Sequence, residues 1–133
     1  MAKFTIALVS LFSLYAFAGL EECKNLLGGY SCKLDNESYL FSLRKGEELN
    51  EVRVTLGDES DRFWVDGKRH KSGQSENVSV ANCTENHAIV VKDYVGKNKV
   101  AEVKISPTED GLEYNIVKAR GVEYTLKCRR LKK

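Results

Sequence analysis

After Gly19, hydrophobic and polar residues alternate in short runs separated by turn residues. Such runs read as strands, because successive side chains on a strand point to opposite faces. Tyr30-Ser31-Cys32 is the first run, followed by an Asp35-Asn36 turn. Tyr39, Phe41 and Leu43 alternate in the second, which ends near Lys45-Gly46. Val52, Val54 and Leu56 alternate with Arg53 and Thr55 before Gly57-Asp58. Phe63-Trp64-Val65 leads into Asp66-Gly67, a strong two-residue hairpin signal. Val78 and Val80 form the apolar face of the next run. His87 to Val95 is apolar on both faces at Ile89-Val90-Val91, which leaves its inward face open. Ala101, Val103 and Ile105 follow, then a Pro107–Gly111 turn, then Tyr114 and Ile116 before Arg120-Gly121. Tyr124, Leu126 and Cys128 form the last run.

These nine runs are mostly spaced 8–12 residues apart, and their connections are too short for parallel crossovers. The spacing predicts an all-β fold, an antiparallel up-and-down β-barrel of about eight strands. Closure gives each strand one apolar face and removes exposed edges. The Phe63–Lys71 hairpin is the expected irregular element. No helical period is sustained; Leu20 to Leu27 suits one or two helical turns before Gly28-Gly29 stops them.

Met1 to Ala18 have a different pattern. One charge, Lys3, precedes an apolar stretch from Phe4 to Ala18 that ends in Ala16-Phe17-Ala18. This reads as a secretory signal peptide over residues 1–18, with one β-barrel domain over 19–133. The stretch is shorter than the ~20 residues a membrane-spanning helix needs, so no transmembrane segment is expected. Of the 115 residues after Ala18, 42 are apolar, and the apolar share falls from 42 % to 37 %. Small exported domains with thin cores commonly add disulfides. All four cysteines, Cys23, Cys32, Cys83 and Cys128, lie in this part, which implies two bridges and a secreted or periplasmic location. Three pairings are open; Cys23–Cys128 with Cys32–Cys83 is preferred because it ties the chain ends together. No C-x-x-C spacing occurs, and His70 and His87 flank no cysteine pair, so neither a metal site nor a cofactor is expected.

Charge narrows the partners. The chain carries 21 Lys+Arg against 19 Asp+Glu, a near balance that gives no footprint for nucleic acid. The basic run Lys127 to Lys133 reads as a solvated terminus. No Gly-x-Ser-x-Gly elbow occurs, and His87 beside Thr84 and Glu85 reads as a surface histidine at a turn. The carboxylate pairs Glu47-Glu48 and Asp58-Glu59 lie in turns, so no catalytic residue is assigned. Tyr30, Tyr39, Phe41, Phe63, Tyr114 and Tyr124 are the candidate interior residues, filling the core or lining a small pocket. Trp64, on the face opposite Phe63 and Val65, is expected to be exposed beside Asp66-Gly67 as an anchor for a protein partner. Asn-x-Ser/Thr triplets at Asn36, Asn77 and Asn82 would be glycosylation acceptors only in a eukaryotic secretory pathway.

Leu26-Leu27-Gly28-Gly29-Tyr30 resembles the start of small calycin barrels, the lipocalins, avidins and their relatives. There a Gly-x-Trp motif opens the first strand, its ring plugs the closed end, and a basic residue late in the last strand packs over the ring. The resemblance gives Tyr30 the ring's place and Arg129 or Arg130 the cation's. The export signal, the strand meander, the aromatic interior and the missing catalytic set together read as a monomeric, non-catalytic binding protein of lipocalin-like type for a small apolar ligand or a protein. Tyr30-Ser31-Cys32 with a C-terminal Cys128 is also similar to bacterial inhibitors of c-type lysozyme. Periplasmic metalloprotease inhibitors are similar in size, and they use an N-terminal segment, here Gly19 to Leu27. A hydrolase inhibitor is therefore the alternative function, and a small secreted enzyme the second.

Overall fold

The computed structural model describes residues 19–71 and 76–131. The signal-peptide reading of residues 1–18 and the end of the basic terminus, residues 132 and 133, lie outside them. A 3-10 helix spans Leu20–Leu26. Ten strands follow: β1 (Gly28–Leu34), β2 (Glu37–Lys45), β3 (Glu51–Leu56), β4 (Glu59–Trp64), β5 (His70–Lys71), β6 (Asn77–Cys83), β7 (Ile89–Val95), β8 (Asn98–Pro107), β9 (Gly111–Lys118) and β10 (Glu123–Arg130). They form one antiparallel sheet in the order β4-β3-β2-β1-β10-β9-β8-β7-β6-β5. The sheet curls until β4 meets β6, so the all-β up-and-down barrel expected from the pattern is present and nearly closed, consistent with a calycin-like fold. Among the described residues no helix is long and apolar enough to cross a membrane.

The strand count is ten, against the expected eight. Two residues of β5 form a separate strand, and Glu59–Trp64 pairs with β3 on its own account. Asp66-Gly67 does not form a hairpin. Asp66 Oδ1 accepts from Lys68 N at 2.9 Å and its Oδ2 meets His70 Nε2 at 2.8 Å, which fixes a loop. Gly67 N donates to Ala81 O at 2.9 Å, and Val65 bridges Ala81 in parallel. The segment therefore crosses the seam to β6 instead of returning along β4. That crossing explains a second correction. In β6 the buried positions are Ser79 and Ala81, and Val78 and Val80 are half-buried. The small inward residues let β4 approach.

The disulfides also differ from the preferred pairing: they are Cys23–Cys83 and Cys32–Cys128. In a closed meander the first and last long strands are neighbours, and Cys32 stands directly opposite Cys128 with Cα atoms 4.0 Å apart. Cys23, on the 3-10 helix across one end, meets the end of β6 at Cys83. Two bridges point to an oxidising location.

The core runs along the barrel axis. Tyr30, Phe41, Leu43, Ile89, Ile105 and Leu112 are all at most 2 % exposed. For the ambiguous β7, Ile89 and Val91 face in. At the helix end, Arg130 is the cation that covers Tyr30, 4.9 Å from the ring centroid, and Arg129 is exposed on the other face. Arg130 also donates to Leu27 O at 3.1 Å and to Asn25 O, which seals the helix over the barrel.

Candidate functional site

Three strands change from apolar to polar as they leave the closed end. On their inward faces β4 runs Phe63, Asp61, continuing from Val65 just beyond its end; β6 runs Ala81, Ser79; β7 runs Ile89, Val91, Asp93. Strand alternation keeps each series on one face. The result is a cavity of about 90 Å³ at the opposite mouth, beside the β4–β6 seam. Val54, Phe63, Val91, Val103 and Ile105 form its apolar floor; Asp61, Arg62, Ser79, Asp93 and Tyr114 form its polar wall.

The wall is acidic. Ser79, only 8 % exposed, lines it. Burial raises the Asp93 carboxyl above its usual range, and the Asp61 charge adds to this. Burial pushes the Tyr114 hydroxyl up to about 12, with the charges of Asp93 and Asp61 adding to the rise. The one cation in the wall is engaged elsewhere: Arg62 lies over Trp64 at 5.1 Å and has Nη1 3.6 Å from Glu51 Oε2.

The six candidate interior aromatics separate. Tyr30 and Phe41 are core, with centroids 6.2 Å apart. Phe41 meets Tyr114 edge-on at 5.3 Å, so the aromatic column ends at the cavity. Phe63 and Tyr114 line it. Tyr39 and Tyr124 do not. Tyr39 is half-buried at a strand end with its hydroxyl on Glu37. Tyr124 is 47 % exposed beside the Arg120-Gly121 turn, with Lys118 Nζ 5.7 Å from its ring.

Trp64 is half-buried and held, not the free anchor expected. Its Nε1 donates to Glu48 Oε2 at 2.7 Å, and its ring stacks on His70 at 4.6 Å. Asp66 beneath it is spent on the loop, and Gly67 on the seam. His87 sits at a turn with positive φ, its Nδ1 2.9 Å from Glu22 O. Gly19 to Leu27 holds the docked 3-10 helix with its two cap residues. Among the described residues, no three His, Cys, Asp or Glu side chains cluster in a way that suits a metal ion.

Asp61, Ser79 and Asp93 were missed by sequence reasoning. The usable signal was parity: Asp61 shares a face with Phe63, and Asp93 with Val91. A charged residue in phase with core residues marks a mouth or a site. No protein-family model, curated protein or solved structure matches the chain.

Proposed function

We propose that the protein is an exported, non-catalytic binding barrel of lipocalin-like type whose mouth takes a small organic ammonium ligand. The observation that carries this is the cavity's chemistry. Two carboxylates and the Ser79 hydroxyl stand over an apolar floor, and the one guanidinium of the lining, Arg62, is engaged by Trp64 and Glu51. A desolvated carboxylate is stabilised by a cation brought to it. Volume limits the ligand. About 90 Å³ is roughly three waters' share of liquid and far below the ~300 Å³ of small drug sites. The space suits an ammonium head on a short chain. It supports a charged ligand over the apolar one that the aromatic count suggested, because Tyr30 and Phe41 pack into the core.

Titration by NMR with short-chain alkylammonium ions and the matching neutral alcohols tests this. Saturable shifts around Asp61, Ser79, Asp93 and Tyr114 with the ammonium series alone are expected. Equal response to the alcohols, or none to either, would overturn the reading.

A further inference from the structure

The outer face of β2, β3 and β4 carries a charge arrangement that sheets avoid. In register, Arg44 stands opposite Arg53, and Arg53 opposite Arg62. Like charges directly opposite each other destabilise a sheet. Neighbouring strands are about 4.8 Å apart, so three guanidinium-bearing positions fall within roughly 10 Å. The next outward row is Ser42, Thr55 and Ser60, also in register. The two rows border a shallow groove of about 450 Å³ bounded by Lys45, Gly46 and Glu47.

One carboxylate organises part of the ladder from below. Glu51 is 1 % exposed, and its Oε1 accepts from Glu48 N at 3.0 Å. Its Oε2 has no hydrogen-bond partner and lies 3.8 Å from Arg53 Nε and 3.6 Å from Arg62 Nη1. That contact lowers the carboxyl pKa less than the Glu48 amide does, and both act in the same direction. Arg62 is further fixed over Trp64. Arg44 has no ion pair or side-chain hydrogen bond among the described residues and is exposed. The groove's charged lining is Arg44, Lys45 and Arg53 against Glu47; Glu51 is paired beneath Arg53, and Glu48 is taken by Trp64 Nε1.

We propose that this groove binds a phosphate group of a soluble ligand, held by Arg53 and Arg44 with Ser42 and Thr55 donating from the hydroxyl row. A carboxylate has two coplanar oxygens and is satisfied by one guanidinium fork. A phosphate presents three oxygens and a charge near −2, which needs more than one guanidinium and uses the hydroxyls as well. Arg53 is held in place by Glu51, and Arg44 is free to close over the anion. Relief of the ladder's repulsion adds to the attraction.

The test is NMR titration of the whole domain with inorganic phosphate and pyrophosphate against sodium chloride at matched ionic strength. Saturable shifts at Ser42, Arg44, Arg53 and Thr55 are expected, with pyrophosphate the tighter probe. Arg44→Gln is expected to weaken binding about tenfold without lowering the melting temperature, since it also relieves the ladder's repulsion. Glu47→Gln, which removes the groove's exposed carboxylate, is expected to tighten it a few-fold. Lys127→Gln, away from the groove, is expected to leave it unchanged. Shifts reproduced by chloride, or affinity indifferent to both Arg44→Gln and Glu47→Gln, would overturn the proposal. The mouth cavity plays no part in this titration, so the two sites fail or stand separately.

Discussion

The Arg130 guanidinium lies over the Tyr30 ring, 4.9 Å from its centroid, and donates to the same residue's phenolic oxygen at 2.7 Å. Tyr30 passes that bond on, donating to Leu26 O at 2.7 Å. Two residues a hundred positions apart thus close one end of the barrel and fasten the helix to it. Gly28, at φ +149°, is required there: a Cβ would stand 2.7 Å from Arg130 Nη1.

Tyr30→Phe strands the Leu26 carbonyl and one Arg130 donor and is expected to cost about 1–2 kcal/mol. Arg130→Ala also loses the ring contact and the helix carbonyl bonds, for roughly 2–3 kcal/mol. Urea unfolding of both variants and the double variant measures the coupling. Strictly additive losses would show that the contact carries no energy of its own.

The two disulfides act at different levels. Cys32–Cys128 joins neighbouring strands across a separation of 96 residues, and Cys23–Cys83 pins the helix across 60. Paired Cys→Ala replacement at either bridge is expected to cost roughly 3–5 kcal/mol in the chain-entropy model. Only loss of Cys23–Cys83 should strip amide-exchange protection from the helix while the sheet stays protected. Peptide mapping without reduction checks the pairing; a Cys23–Cys128 peptide would refute it.

The alternation of Val52-Val54-Leu56 and Ala101-Val103-Ile105 made the strands legible, because each has one wet and one dry face. The Gly28-Gly29-Tyr30 start and a basic last strand together made the plugged end legible. What lay beyond the sequence was the seam. Asp66-Gly67 has the residues of a tight hairpin, but Asp66 is drawn to His70 in β5 and Gly67 to Ala81 in β6. The inward Ser79 and Ala81 follow from the same meeting of strands. The mouth was less legible: Asp61 is in phase with Phe63, but Ile89-Val90-Val91 left the parity of Asp93 open, and only the closed barrel brings the two carboxylates to one cavity.

Tyr114 gives a titration that reads the cavity directly. Its folded-state pKa of about 12 exceeds the ~10 of a free tyrosine. The unfolded chain therefore releases this proton first. The associated stability is whole below pH ~10 and is lost as pH rises towards 12. A spectrophotometric titration should show a late phenol that Tyr114→Phe removes. Asp93→Asn should bring that phenol to a lower pH by removing one of the charges that raise it. A late phenol that persists in Tyr114→Phe would assign it elsewhere.

Asp93 supplies the sharpest test, because stability and binding move in opposite directions. Its carboxyl is raised above the usual range by burial and then by Asp61, and no cation pairs with it among the described residues. For this acid the fold favours the protonated form. Its contribution is whole below the unfolded pKa, near 4, and is lost as pH rises through the folded value. At neutral pH the fold therefore holds an unfavourable charge. Asp93→Asn keeps the shape and removes it, and is expected to raise the melting temperature by roughly 2–4 °C at pH 7. The gain should shrink as pH falls through the folded pKa and the native carboxyl takes up its proton. The same variant should lose the ammonium response at the mouth, the exchange of stability for function that a binding site with an uncompensated charge implies. A lower melting temperature at pH 7 would instead make Asp93 a structural carboxylate and remove it from the site.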